Sequence, residues 1–246
     1  MATVPLDLRE RYELCDLFLE VGPQAPTLCE GWATLDLAAH LVTREHDLRS
    51  GPGIILGGPF EAYTTKLRER AKSKGYEQLV ERIRSGPPWP LRISPVRQAM
   101  SLNEYFVHHE DVRRANGQSR RTDRPDLDEA LWKEVRRTAR LTTRRIRPFG
   151  LELYWPDHGN PMPARKGDPV ACLSGPPSEL DLYLTGRKSA AEAVPTTDIQ
   201  KRATLIARFM NFPFNGAVLL QRCCISLYQS TFGTDKVDDD RSTNAR

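Results

Sequence analysis

The sequence predicts a mainly α-helical protein with a small α/β unit toward its carboxyl end. Apolar residues recur at helical spacing in most segments before residue 147, and strand-like composition appears only after residue 148. With 246 residues, 39% hydrophobic and 28% charged, the chain can bury a hydrophobic core beneath charged helix faces. These three observations favour a helical bundle followed by a small mixed domain.

Glycine and proline mark the ends of the predicted helices. Gly22 and Pro23 stop the first helix, and the Gly51–Gly53 segment stops the second. Ser94 is suited to the N-cap of a later helix, which Asn116 and Gly117 end. The predicted helices are 6–20, 34–48, 60–83 with a break at Gly75, 94–115 and 127–146.

The chain changes character after the last long helix. Residues 151–155 and 168–173 have strand composition, and residues 178–184 form a predicted short helix behind two prolines. We therefore expect a helical bundle over residues 1–147, a small α/β domain over residues 148–194 and an unassigned tail over 195–246. The end of that tail is polar and is expected to be disordered.

Charge alone does not indicate a nucleic-acid-binding protein. The formal net charge is +4, and much of it comes from the arginine-rich stretch 133–147. No aromatic residues interleave with these arginines for base stacking, so we interpret the stretch as a solvated helix face. Salt-sensitive DNA binding by this helix remains an alternative that can be tested.

Cysteine usage and hydropathy exclude several other classes. Five cysteines without a CxxC pair disfavour a disulfide framework and a four-cysteine zinc site. The first residues are charged rather than apolar, and no run reaches the ~18 apolar residues of a membrane span. We therefore expect a cytoplasmic protein without a membrane partner.

The candidate chemistry begins with Glu104 and His108, which are four residues apart on one predicted helix. At that spacing they share a helix face, so both side chains can reach one ion. Asp111 shares this face, either as a further ligand or as the acceptor for a ligand histidine's other N–H. His109 points about 100° away and is not expected to bind the same ion.

A third ligand has to come from another helix, and His40 is the candidate. It lies between Leu37 and Leu41 on an apolar stripe, and an inward-facing histidine needs a polar partner. Two histidines and one carboxylate are a common catalytic zinc pattern with an open fourth position, although nickel, iron or manganese also fit. The alternative is a hydrogen-bonded core histidine beside an unrelated surface Glu–His pair.

These residues resemble the DinB-like metal-binding superfamily, and more narrowly the mycothiol-dependent maleylpyruvate isomerase family. Residues 29–41 contain Trp-x(3)-Asp-Leu-x-Ala-His-Leu, and residues 104–111 contain Glu-x(3)-His-His-x-Asp, which are similar to two elements of that family. Residues 175–187, from Gly-Pro-Pro-Ser-Glu-Leu to Leu-Thr-Gly-Arg, are similar to an element of its C-terminal domain. The resemblance runs from about residue 6 to residue 194.

The resemblance implies a DinB-like four-helix bundle with zinc bound by the residues matching His40, Glu104 and His108. It also implies a small C-terminal domain that helps to enclose the site, and mycothiol as a low-molecular-weight thiol cofactor. Arg187 lies in the matched Gly-Arg step and is a candidate anion contact. Arg97, about two turns before Glu104, is a second candidate on geometric grounds.

Three functions therefore compete. The first is a thiol-dependent metalloenzyme of isomerase or transferase type, which uses mycothiol and a small-molecule electrophile. The second is a metal-dependent hydrolase that activates water and needs no thiol. The third is a non-catalytic metal-binding stress protein, for which a fourth protein ligand would be the signature. The sequence predicts neither the substrate nor the oligomeric state.

Overall fold

A computed structural model describes residues 4–46, 59–88, 94–143, 150–156, 158–168 and 170–196. Within this part of the chain, six helices precede a mixed sheet that carries one more helix. None of the described helices has both the length and the apolar character needed to cross a bilayer. The helices are α1 Leu6–Val21, α2 Thr34–His46, α3 Pro59–Lys72, α4 Tyr76–Ser85, α5 Ser94–Ala115, α6 Pro125–Thr142 and α7 Pro177–Leu184; the strands are β1 Gly150–Tyr154, β2 Met162–Arg165, β3 Val170–Ser174 and β4 Val194–Thr196.

The predicted helices are present, with small differences at their ends. The predicted break at Gly75 separates α3 from α4, and Gly22 ends α1 with a φ of 80° that favours glycine. The expected ends of the second and fifth long helices, at residues 48 and 146, lie outside the described residues, as does the tail from residue 197. Strands β2 and β4 were not predicted, because each is short and contains a proline.

The helical bundle is built from α1 to α5. Helix α1 packs along α5 and α4, while α2 packs against α3 and α4. Their shared core includes Leu14, Phe18, Leu37, Leu41 and Ile83, all of which are fully buried. This packing turns one face of α2 toward α5, and that arrangement positions the candidate site.

The second unit consists of the four-stranded sheet and α7. The strand order is β2-β1-β3-β4, with β1 and β3 parallel and the two outer strands antiparallel to their neighbours. Buried leucines of β1, β3 and α7 form its core, which Val135 and Ala139 of α6 complete. Helix α6 therefore packs on both parts of the molecule: Val135 and Ala139 contact this unit, here called the C-terminal unit (150–196), and Leu127 and Leu131 share a cluster with apolar residues of α5.

Candidate metal centre

The structure brings His40, Glu104 and His108 together between α2 and α5. The Nε2 atoms of His40 and His108 lie 3.6 and 3.4 Å from Glu104 Oε1. One ligand atom from each side chain lies within 4.8 Å of the others. The two imidazole rings meet edge to face, with centroids 5.5 Å apart. The convergence that the metal hypothesis requires is therefore present.

Helix geometry and burial explain why these polar side chains face inward. His40 lies between Leu37 and Leu41, which are fully buried, so the packing of α2 carries the imidazole into the interior. Helix α5 has apolar neighbours on several sides, and Tyr105 beside Glu104 is fully buried. Glu104 is only 2% exposed, so its carboxylate needs compensation from positive or hydrogen-bonding groups.

The two carboxylate oxygens of Glu104 differ in their contacts. Its Oε1 atom faces both histidines and lies 3.2 Å from Nε of Arg44, whereas Oε2 is buried and accepts no hydrogen bond from any described residue. Burial raises the pKa of Glu104, but the charge of Arg44 and hydrogen bonds from both histidines outweigh it and hold the pKa well below its usual range. A buried carboxylate oxygen and two imidazole nitrogens form a donor set that suits a divalent ion such as zinc.

The two histidines differ in their protonation behaviour. Burial lowers the pKa of His40, which favours the neutral imidazole that binds metals. Burial also acts on His108, but hydrogen bonds to Asp111, Cys29 and Glu104 outweigh it and raise the pKa of His108 well above its usual value. Metal binding would therefore have to displace a proton from His108.

Asp111 lies behind His108, on the side away from Glu104. Its Oδ2 atom is 2.9 Å from Nδ1 of His108, while Nε2 of the same ring faces Glu104. Both carboxylate oxygens of Asp111 also contact the guanidinium of Arg187. This geometry favours Asp111 as the acceptor that orients a ligand histidine over Asp111 as a further ligand.

Cys29 and Arg187 complete this outer side of the site. The Cys29 Sγ atom lies 3.2 Å from Oδ2 of Asp111 and 3.5 Å from the Arg187 guanidinium. Arg187 also donates to the backbone carbonyl of Thr185 at 2.8 Å. The observed contacts of Arg187 are therefore with protein groups, and its predicted role as an anion contact stays a prediction.

Sequence reasoning missed Arg44 and could not place Arg97. Arg44 follows His40 by four residues, so helical spacing alone puts it on the same face of α2, and that signal was available. The side chain of Arg97 lies outside the described part of the structure, although its backbone belongs to α5. Arg44 is thus the cation that the structure places beside a candidate ligand.

A second cluster of ligand-type residues lies on the other side of α5. His109 Nδ1 is 3.0 Å from Oε2 of Glu10, and Glu13 is close enough to complete a possible three-residue metal group. Arg121 contacts both oxygens of Glu10 at 2.8 and 2.9 Å, and Arg124 approaches Glu10 and Glu13. As predicted, His109 does not share the site of His108.

Comparisons with known proteins identify the fold. No protein-family profile matches the chain, and no curated protein matches it in sequence. Two solved structures are similar: a mycothiol-dependent maleylpyruvate isomerase, at 17% identity and a TM-score of 0.50, and a histidine-to-alanine mutant of such an enzyme, at 18% and 0.51. Each match covers 82% of this chain and 98% of the other chain. The predicted fold, a helical bundle with a small α/β appendage, is confirmed, and at the level of the fold so is the resemblance drawn from the motifs.

Proposed function

We propose that this protein binds a divalent metal ion, with zinc as the expected ion, through His40, Glu104 and His108. The observation that carries the proposal is the buried convergence of two imidazole nitrogens and a carboxylate whose Oε2 atom has no described partner. A buried carboxylate oxygen without a partner is costly, and a bound cation would remove that cost.

The protein's own residues have separable tasks in such a centre. His40 and His108 supply neutral nitrogen ligands, and Glu104 supplies the negative charge. Asp111 holds His108 by its Nδ1 atom, so that Nε2 points toward Glu104. The walls of the site exclude water from the ligand atoms, because all three ligands are at most 6% exposed. An ion held there would act as a Lewis acid and lower the pKa of a bound thiol or water.

We further propose a thiol-dependent reaction of isomerase or transferase type, with mycothiol as the thiol. The similar solved structures are mycothiol-dependent enzymes, which supports a low-molecular-weight thiol that attacks a small electrophilic substrate. If that substrate carries a carboxylate, Arg44 is the positive group already beside the ligands. Arg187 and Arg97 stay proposed anion contacts, and a location in the cytoplasm stays a prediction.

Elemental analysis of purified protein tests the metal centre. The wild-type protein should carry close to one equivalent of a divalent ion, and His40→Ala and His108→Ala should each lose it. His109→Ala is the matched control, because this histidine is adjacent in sequence and buried but faces the arginine-rich cluster. Equal metal content in the His108 and His109 variants would refute the ligand assignment.

Turnover assays test the thiol dependence. The zinc-loaded protein should transform some member of a panel of electrophilic double-bond substrates only when mycothiol is present. His40→Ala should abolish that turnover while the protein stays folded by circular dichroism. Turnover without any thiol would favour the hydrolase instead, and a metal-loaded protein inactive across the panel would favour a non-catalytic metal-binding role.

A further inference from the structure

Arg187 reaches from the C-terminal unit into the helical bundle. It follows the turn at the end of α7, and its guanidinium meets Asp111 of α5 in a two-point contact. Nε donates to Oδ1 at 2.8 Å and Nη2 to Oδ2 at 2.5 Å. Both side chains are buried, at 8% and 0% exposure, so water screens the pair little. A two-point guanidinium–carboxylate contact fixes the plane of the carboxylate as well as its position.

Asp111 transmits that position to His108. The oxygen that accepts from Nη2 of Arg187 is also the one 2.9 Å from Nδ1 of His108. Because the two ring nitrogens lie on opposite sides of the imidazole, holding Nδ1 aims Nε2 at Glu104. A continuous chain of three side chains therefore links the C-terminal unit to a candidate metal ligand.

We propose that Arg187 is a positioning residue for the metal centre, acting through Asp111 on His108 so that docking of the C-terminal unit raises metal affinity. This inference rests on the proposed function, because it takes His108 as a metal ligand. The coupling is reciprocal, so metal binding also strengthens docking of the C-terminal unit. Outer groups that orient a ligand histidine typically change metal affinity by about 10 to 100-fold.

A second arginine provides a matched control. Arg114 also joins α5 to the C-terminal unit, since its Nη2 atom lies 2.6 Å from Oε1 of Glu179 in α7. This pair is as buried as the first, at 8% and 0% exposure. Arg114 contacts Glu110, Glu179 and the backbone carbonyl of Ala190, and none of these groups is a candidate metal ligand. Breaking the Arg114–Glu179 pair should loosen the contact between α5 and the C-terminal unit without rotating His108.

The experiment measures zinc affinity by competition with a chromophoric chelator. Arg187→Met should bind zinc about 10 to 100-fold more weakly than the wild type, whereas Arg114→Met should stay within about threefold. Both variants should unfold at lower temperature. A wild type that binds no zinc would overturn both the metal centre and this inference. A wild type that binds zinc while the two variants are equally affected would overturn the positioning role alone.

A double-mutant cycle tests the route through Asp111. Asp111→Asn should weaken zinc binding to a similar extent, and adding Arg187→Met should weaken it no further, because the second change acts through a contact already lost. Additive losses would contradict the proposed route. If Arg187→Met does not fold, Arg187→Lys replaces it in the same measurement. Lysine keeps the charge but not the two-point contact, so its affinity should be intermediate, and wild-type affinity there would contradict the positioning role.

Discussion

Helix α5 carries two consecutive histidines that face two different clusters. His108 meets His40 and Glu104, and His109 meets Glu10 and Glu13. Both clusters contain ligand-type side chains within reach of one another, and all of these are buried except Glu13, which is partly exposed. They differ in the arginines around them, and because of that difference we propose the ion at His108 and not at His109.

In the cluster at His109, arginine already supplies the positive charge. Arg121 occupies both oxygens of Glu10, and with the hydrogen bond to His109 it overcomes the effect of burial and lowers the pKa of Glu10 to about 2. In the cluster at His108, the guanidinium of Arg44 lies 3.2 Å from Oε1 of Glu104, and Oε2 accepts no hydrogen bond from any described residue. Ligand types alone therefore do not identify a metal site, because the local cations have to be counted as well.

The largest expected effect comes from removing Arg121. Arg121→Met removes the two-point arginine contact of the buried carboxylate of Glu10, which should lower the free energy of unfolding by about 3 to 5 kcal/mol, whereas Glu110 keeps Arg113 and Arg114. Urea unfolding measures this loss. Arg137→Met is the control, because Arg137 pairs with Glu134 on an exposed helix face and should cost under about 1 kcal/mol. Similar losses in both variants would contradict the structural role of the second cluster.

The pH dependence of protein stability tests the pairing of Glu10 in the His109 cluster. The pKa of Glu10 falls from 4.5 to about 2 on folding, so Glu10 stabilises the fold fully above pH 4.5 and loses that contribution as the pH falls toward 2. The contribution amounts to about 3 kcal/mol at neutral pH. Urea unfolding between pH 5 and pH 2.5 should show a steep loss in the wild type and a shallower one in Glu10→Gln. Parallel profiles would show that Glu10 is not strongly paired.

Zinc should stabilise the protein through one cluster only. At a free zinc concentration about 100 times the dissociation constant, binding adds about 2.7 kcal/mol to the free energy of unfolding. Thermal unfolding with and without zinc should show this gain in the wild type and in Glu10→Gln, and should not show it in Glu104→Gln. If Glu10→Gln lost the stabilisation by zinc and Glu104→Gln kept it, the ion would bind at the His109 cluster instead.

The smallest expected effect is that of Cys29→Ala. Cys29 contributes only weak thiol contacts, to Asp111, Arg187 and His108, so the change should cost under about 1 kcal/mol and leave zinc affinity within about threefold. Chelator competition measures the affinity. Cys29, His108 and Asp111 also form a possible ligand group, and a loss of zinc tenfold or greater would mean that the ion sits there rather than at Glu104.

Local patterns accounted for most of the helical architecture. Gly22, Gly75 and Gly117 were read as ends or breaks, and each lies where a helix ends or where two helices are separated. The strands β2 and β4 were missed because each is short and contains a proline. The period of α6 shows that the helix has an apolar face, but it does not show that this face contacts both α5 and the C-terminal unit.

The sequence alone determined that Glu104 and His108 share a helix face and that His40 points inward, because both follow from 3.6 residues per turn and from apolar neighbours. Only the tertiary structure decided which charged side chains lie around each of the two clusters. Arg121 and Arg187 reach their carboxylates from segments 111 and 76 residues away along the chain. The spacing of residues along one helix cannot predict such contacts, because they depend on how the helices and the C-terminal unit pack. That packing places His108 beside a carboxylate oxygen that accepts no hydrogen bond from the described residues, and it places His109 among arginines.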